Sequence, residues 1–152
     1  MQLLIDESFA EKIIPADDSV RLLDRIVEEM DLNKLERAYE VRGRKPATEP
    51  SIMLRILLYA NMEGIYSSRR IQTACQRDIN FIWLLNGASA PSYHEIARFR
   101  SQRLPECAEE LFFQLVEKLA EYGEIKYEHL FDRKSTRLNS SHSGQSRMPS
   151  SA

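Results

Sequence analysis

The residues best equipped for chemistry lie between positions 67 and 103, SSRRIQTACQRDINFIWLLNGASAPSYHEIARFRSQR. Their chemistry is hydrogen bonding and the display of cations, not bond making. His94, Glu95 and Arg98 carry donors and acceptors on side chains of a length suited to base edges in a duplex groove. Arg69, Arg70, Arg77, Arg100 and Arg103 are cations suited to phosphates. A second basic cluster, Arg42, Arg44 and Lys45, sits beside Gly43 and Pro46. An extended basic arm of this kind tracks phosphates or enters a minor groove, and it equally suits a solvated loop. His94 has no nucleophile or ligand partner at a suggestive spacing. The sequence shows no Gly-rich phosphate loop, metal-ligand cluster or nucleophile–base arrangement, so no catalytic or metal-binding residue is assigned. Tyr66, Phe81 and Trp83 are assigned to packing ahead of base stacking.

Positioning such side chains requires helices, and the hydrophobic spacing supplies them. Asp17, Asp18 and Ser19 offer cap chemistry before Leu22, Leu23, Ile26, Val27 and Met30, which share one helical face. A short helix is expected around 32–39, followed by the polar connection VRGRKPATEP. The spacing predicts a helix over 50–63 that is apolar nearly all round, hence central and buried, with Gly64 ending it. Ser67 or Ser68 caps a helix through 77, with Ile71, Ala74 and Cys75 facing inward. A short buried helix contains IWLL and stops at Asn86–Gly87, and Ser92 caps a further helix to about 102. That helix is expected to expose Tyr93, His94, Glu95, Arg98, Ser101 and Gln102 around a narrow apolar side. A long amphipathic helix is expected from near Pro105 to near Gly123, and YEHLF has the composition to begin a strand.

The pattern is that of an all-α, compact multi-helix domain of six or seven helices. Within 67–103 it suits a helix-turn-helix-like unit, in which a polar helix presents its N-terminal half to the major groove. A capped helix with a charged outer face also suits an ordinary surface helix, and both readings stand on pattern alone.

The chain has 152 residues and a net charge of −2, but that charge is unevenly placed. Residues 1–41 sum to −6, 42–103 to +6, 104–131 to −5 and 132–152 to +3. A positive middle between acidic flanks is a local footprint for a polyanion. Cys75 and Cys107 lack metal-ligand spacing and read as reduced, buried thiols of a cytoplasmic protein. No apolar run reaches membrane-spanning length, and the first residues are acidic where a signal peptide is basic.

Residues from about 19 to 131 resemble the InsH-like N-terminal domain of bacterial insertion-sequence transposases with an acidic catalytic triad. The matching pieces are LLDRIVEEMDL, RGRKPATEP, LLYANMEGIYSSRRIQTACQRDINFIWLLNG, SYHEIARFRSQ and ELFFQLVEKLAEYG, in family order. IYSSRRI, FIWLLNG and IARFR are the most specific. The resemblance implies binding to double-stranded DNA at terminal inverted repeats. It also implies a longer parent protein whose RNase H-like domain uses Mg²⁺ to cut and join DNA. The family places Asp-Gly-Thr after its first catalytic strand, whereas here Asp132 is followed by Arg133 and Lys134. The catalytic role is therefore not carried over to Asp132, and the chain is expected not to be an enzyme. The tail 132–152 lacks apolar periodicity and is expected to be disordered; DRKSTRLNSSH and SRMPSSA resemble a translated sequencing adapter. The expected organisation is a helical DNA-binding domain over 1–131 and an artefactual tail over 132–152. An oligomerisation or interaction module without direct base readout is the alternative function, and a homo-oligomer is compatible with either.

Overall fold

The computed structural model describes residues 7–40 and 47–124. The basic cluster at 42–45, the YEHLF segment and the tail 132–152 lie outside the described residues. The described residues form eight α-helices, one of them prolonged by a π-helical stretch, and no strand. The chain divides into two compact units, residues 1–115 and 116–152.

The first unit is built around α4 (Pro50–Met62), as its composition predicts. Pro50 takes the first helical position, where a missing N–H is no loss. The helix buries Met53, Leu54, Ile56, Leu57, Tyr59 and Ala60. Each large apolar side chain contributes about 1.5–3 kcal/mol on full burial, enough in sum to offset the one buried cation among them, Arg55. Gly64, at φ +75°, reverses the chain, and the N–H of Ile65 closes the helix end by donating to the carbonyl of Ala60 at 2.8 Å.

Around α4 pack α2 (Ser19–Glu29), α5 (Ser68–Arg77) and α6 (Ile79–Leu85). Asp18 caps α2 by accepting from the N–H of Val20 at 2.9 Å, and α2 turns Val20, Leu23, Ile26 and Val27 inward. Asp78 ends α5 and caps α6, accepting from the N–H of Asn80 at 2.9 Å. The amide of Asn80 donates to the Tyr59 hydroxyl at 2.6 Å and to the Asp18 carboxylate at 3.3 Å. This polar knot joins α6, α4 and α2, while the Tyr59 ring meets Phe81 edge-on at 5.0 Å.

The N-terminal helix α1 (Glu7–Ile13) was not expected from the sequence. It packs on α6 and is held from outside by Arg21. The Arg21 guanidinium donates to the carbonyls of Glu11, Ile14 and Pro15 and pairs with the Glu11 carboxylate at 2.7 Å. Pro15 has no N–H to offer the Glu11 carbonyl, and although the Pro15 carbonyl also accepts from the N–H of Asp18 at 3.2 Å, it is a side chain from α2 that completes the end of the helix. Next, α3 (Asn33–Glu40) buries Leu35. The amide side chain of Gln114 clasps both backbone groups of Asp31 just ahead of it, at 2.7 and 3.0 Å.

The last helix, α8 (Ala108–Glu121), runs from the first unit into the second. In the second unit it ends at Gly123, φ +79°, where Gly123 and Glu124 donate to the carbonyls of Ala120 and Leu119.

Candidate nucleic-acid interface

The site is built on α7 (Tyr93–Arg98) and its π-helical continuation Phe99–Arg103. Ser92 starts the helix by accepting from the N–H of Glu95 at 3.2 Å, the first half of a capping box read directly in S-Y-H-E. The Glu95 carboxylate accepts instead from the buried Thr48 hydroxyl at 3.4 Å. At the other end the N–H of Leu104 reaches the carbonyl of Phe99 at 2.8 Å, five residues back, which marks the wider π turn.

Ile96 and Phe99 are fully buried and fasten the inner side of this helix. Five residues are exposed on the outer side: His94, Ala97, Arg98, Ser101 and Gln102. They recur at the helical spacing of three and four, so they form one stripe. The stripe contains no carboxylate, and two of its members are small.

The helix is positioned chiefly by α5. The N–H of Tyr93 donates to the Gln72 side chain at 3.0 Å, and the Arg69 guanidinium lies 4.1 Å from the Tyr93 ring centroid. Tyr93 in turn lies 4.0 Å, ring to ring, from His94. Further along, the Arg100 guanidinium donates to the carbonyl of Tyr66 and to the hydroxyl of Ser68 at 3.3 Å. The start of α7 thus meets the middle of α5 and its continuation meets the start of α5, so the two helices run in opposite directions. The arrangement comprises three helices, with α7 anchored on α5.

The predicted residues separate by environment. His94 and Arg98 stand exposed on the stripe, and Arg70 is exposed on α5. The side chains of Arg70 and Arg98 make no hydrogen bond or ion pair among the described residues. Arg69 is exposed and stacked against Tyr93. Arg100 is half-buried in its clamp, and Arg103 is half-buried between elements, donating to the carbonyl of Ala38 at 2.9 Å and covering Tyr39 at 4.7 Å. Burial pushes the Tyr39 hydroxyl up to about 12, so this partner of Arg103 is neutral near neutral pH. Arg42, Arg44 and Lys45 lie outside the described residues, but the chain on either side of them is anchored to α7 and its continuation through Tyr39 and Thr48.

Three expectations need correcting. Tyr93 and Glu95 do not stand free on the outer face: Tyr93 lies under Arg69, and Glu95 turns to Thr48. Tyr66 is not a packing residue; it is 62% exposed because the Gly64 reversal and the Arg100 clamp hold its backbone while the ring points away. Phe81 is buried as expected, and Trp83 is half-buried with its indole N–H donating to Glu11 at 2.6 Å.

Two other features do not suit a polyanion or a metal ion. An open groove of about 420 Å³ between α2, α3 and α4 is lined by Glu28, Asp31, Glu36 and Arg55, an acidic excess that repels phosphate. Among the described residues, no three His, Cys, Asp or Glu side chains gather as a metal ion requires. No described helix is long and apolar enough to cross a membrane.

Comparison with known proteins gives one family. A sequence model described as "Transposase domain (DUF772)" matches residues 8–102, from α1 to the end of the exposed stripe. No curated protein and no solved structure matches the chain.

Proposed function

We propose, for a chain that belongs to the Transposase domain (DUF772) family, that the described helices bind double-stranded DNA at the ends of a mobile element. The observation that carries this reading is the carboxylate-free exposed stripe of α7, with Arg69 stacked beside its N-terminal end. A helix whose outer face holds His94 and Arg98 among small residues can approach base edges closely. Arg69 and Arg70 reach from α5 for phosphates, which set register. Arg42, Arg44 and Lys45 extend the same charge from a segment flanked by chain tied to α7. Arg100, donating to the Tyr66 carbonyl and the Ser68 hydroxyl, and Arg103, donating to the Ala38 carbonyl, hold the reading helix in place and offer phosphate contacts through their remaining N–H groups. In this sense the three helices act as a helix-turn-helix-like unit.

The test is duplex binding by fluorescence anisotropy across a salt series. Affinity is expected to fall steeply with salt, and no binding at low salt overturns the reading. On this reading the chain recognises DNA without cutting it. Incubation with Mg²⁺ and duplex is expected to leave both strands intact, and strand cleavage would show otherwise. A second reading, self-association, is favoured by Phe112 and Phe113 on α8, 61% and 49% exposed. A monomer by sedimentation at high concentration removes it.

A further inference from the structure

We infer that Arg98 and Gln102 are paired specificity determinants, and that the DNA site carries a guanine and an adenine one to two base steps apart to meet them. This rests on the DNA-binding reading above and goes beyond it by naming the bases. Both residues are exposed on the outer stripe, and Arg98 has no partner among the described residues to compete for its guanidinium. Arginine pairs bidentately with guanine O6 and N7, and glutamine with adenine N6 and N7.

Their spacing fits two bases. Four residues rise about 6 Å along an α-helix at roughly 1.5 Å each, and nearer about 5 Å where the turn widens. Successive bases on one strand are about 3.4 Å apart, so the two side chains meet separate bases one to two steps apart. The π turn sharpens the alignment. In an α-helix a residue four along has passed beyond a full turn and drifts off the stripe. The wider turn over Phe99–Arg103, closed by the Leu104–Phe99 hydrogen bond, reduces that drift and keeps Gln102 beneath Arg98. Between them Ser101 donates its hydroxyl back to the Ala97 carbonyl at 3.0 Å, lying along the helix instead of projecting outward. Ala97 and Ser101 therefore leave room for the helix to sit close to the bases. Beside the stripe, Glu95 is tied to Thr48, which removes the nearest carboxylate from the face.

The experiment selects duplexes from a randomised library with the full chain and with the single variants Arg98→Ala, Gln102→Ala and Gln102→Glu. Both positions of change are exposed, and circular dichroism confirms that each variant is folded. The intact chain is expected to select a motif with guanine and adenine one or two steps apart. Arg98→Ala should lose the preference for guanine and Gln102→Ala that for adenine, by roughly 5- to 150-fold each. Gln102→Glu should move the preferred base from adenine to cytosine, whose amino group a carboxylate accepts. Folded variants that bind duplex and select the unchanged motif overturn the pairing while leaving DNA binding intact. Loss of all duplex binding by the intact chain overturns both readings.

Discussion

Arg55 shows how a single side chain can be held by partners that need it less than it needs them. Its side chain is 8% exposed, whereas Asp24 and Glu28 opposite it are 41% and 78% exposed. Nη2 donates to Glu28 at 2.8 Å and Nη1 to the Ser51 carbonyl at 3.3 Å. Nε lies 2.8 Å from Asp24, but its N–H is not aimed at that oxygen, so the contact is electrostatic without a formed hydrogen bond. Arg55→Met leaves two carboxylates that water can solvate and is expected to cost about 1 kcal/mol or less. Neutralising both partners, Asp24→Asn with Glu28→Gln, strands a buried cation and is expected to cost about 3–5 kcal/mol. Urea denaturation of the two variants checks the order. The Glu11 carboxylate offers a pH test at the same scale. Hydrogen bonds from Arg21 and then from Trp83 hold its pKa below the ordinary value. A lowered folded-state pKa means its stabilising effect is fully present above the ordinary glutamate range and fades as pH falls through and below it. Trp83, the one tryptophan, reports this directly. Its emission is expected to change on acidification before global unfolding, and Glu11→Gln should abolish that early change.

At the level of elements, the helices of the site are started by side-chain caps and placed by long polar side chains. Ser67 and Ser92 cap α5 and α7. Gln72 and Arg100 join the two helices, and Arg103 joins the π-helical continuation to α3. Ser92→Ala removes one acceptor from the start of a short helix and is expected to cost about 1 kcal/mol. Because the same residue sets where the stripe begins, DNA affinity should fall with stability even though Ser92 is not on the exposed face. Thermal melts beside anisotropy titrations check this. An affinity that stays level while the melting temperature drops would separate the cap from the site.

Across the whole chain, charge outweighs composition. A net −2 protein is repelled by DNA on average, so binding must come from a local face. Arg69, Arg70 and Arg98 are exposed near that face with no carboxylate partner among the described residues, whereas Arg100 and Arg103 already commit donors to Tyr66, Ser68 and Ala38. A small number of phosphate contacts predicts a shallow slope of log affinity against log salt, near −2 to −4, since each contact contributes about −0.9. Charge removal at Arg69 and Arg70 together should reduce the slope by roughly 2. A steeper slope in the intact chain would point to added contacts from Arg42, Arg44 and Lys45.

The helices were legible in the sequence because their signals are local. Cap residues at Asp18, Ser67 and Ser92, the apolar run of α4 and the reversals at Gly64 and Asn86–Gly87 act through backbone hydrogen bonds and steric limits within a few residues. The resemblance to a transposase domain was legible in short motifs, and the family match bears out those that fall within residues 8–102. Only the tertiary structure decided which polar side chains remain available. Glu95, Tyr93, Arg100 and Arg103 meet partners 21 to 65 residues away, and no spacing rule announces those meetings. Helix α1 was hidden because Arg21 from another helix completes its end and α6 covers it. The stripe His94, Ala97, Arg98, Ser101 and Gln102 is exposed because packing on α5 took the other side of α7, a result of contacts made only when the chain is folded.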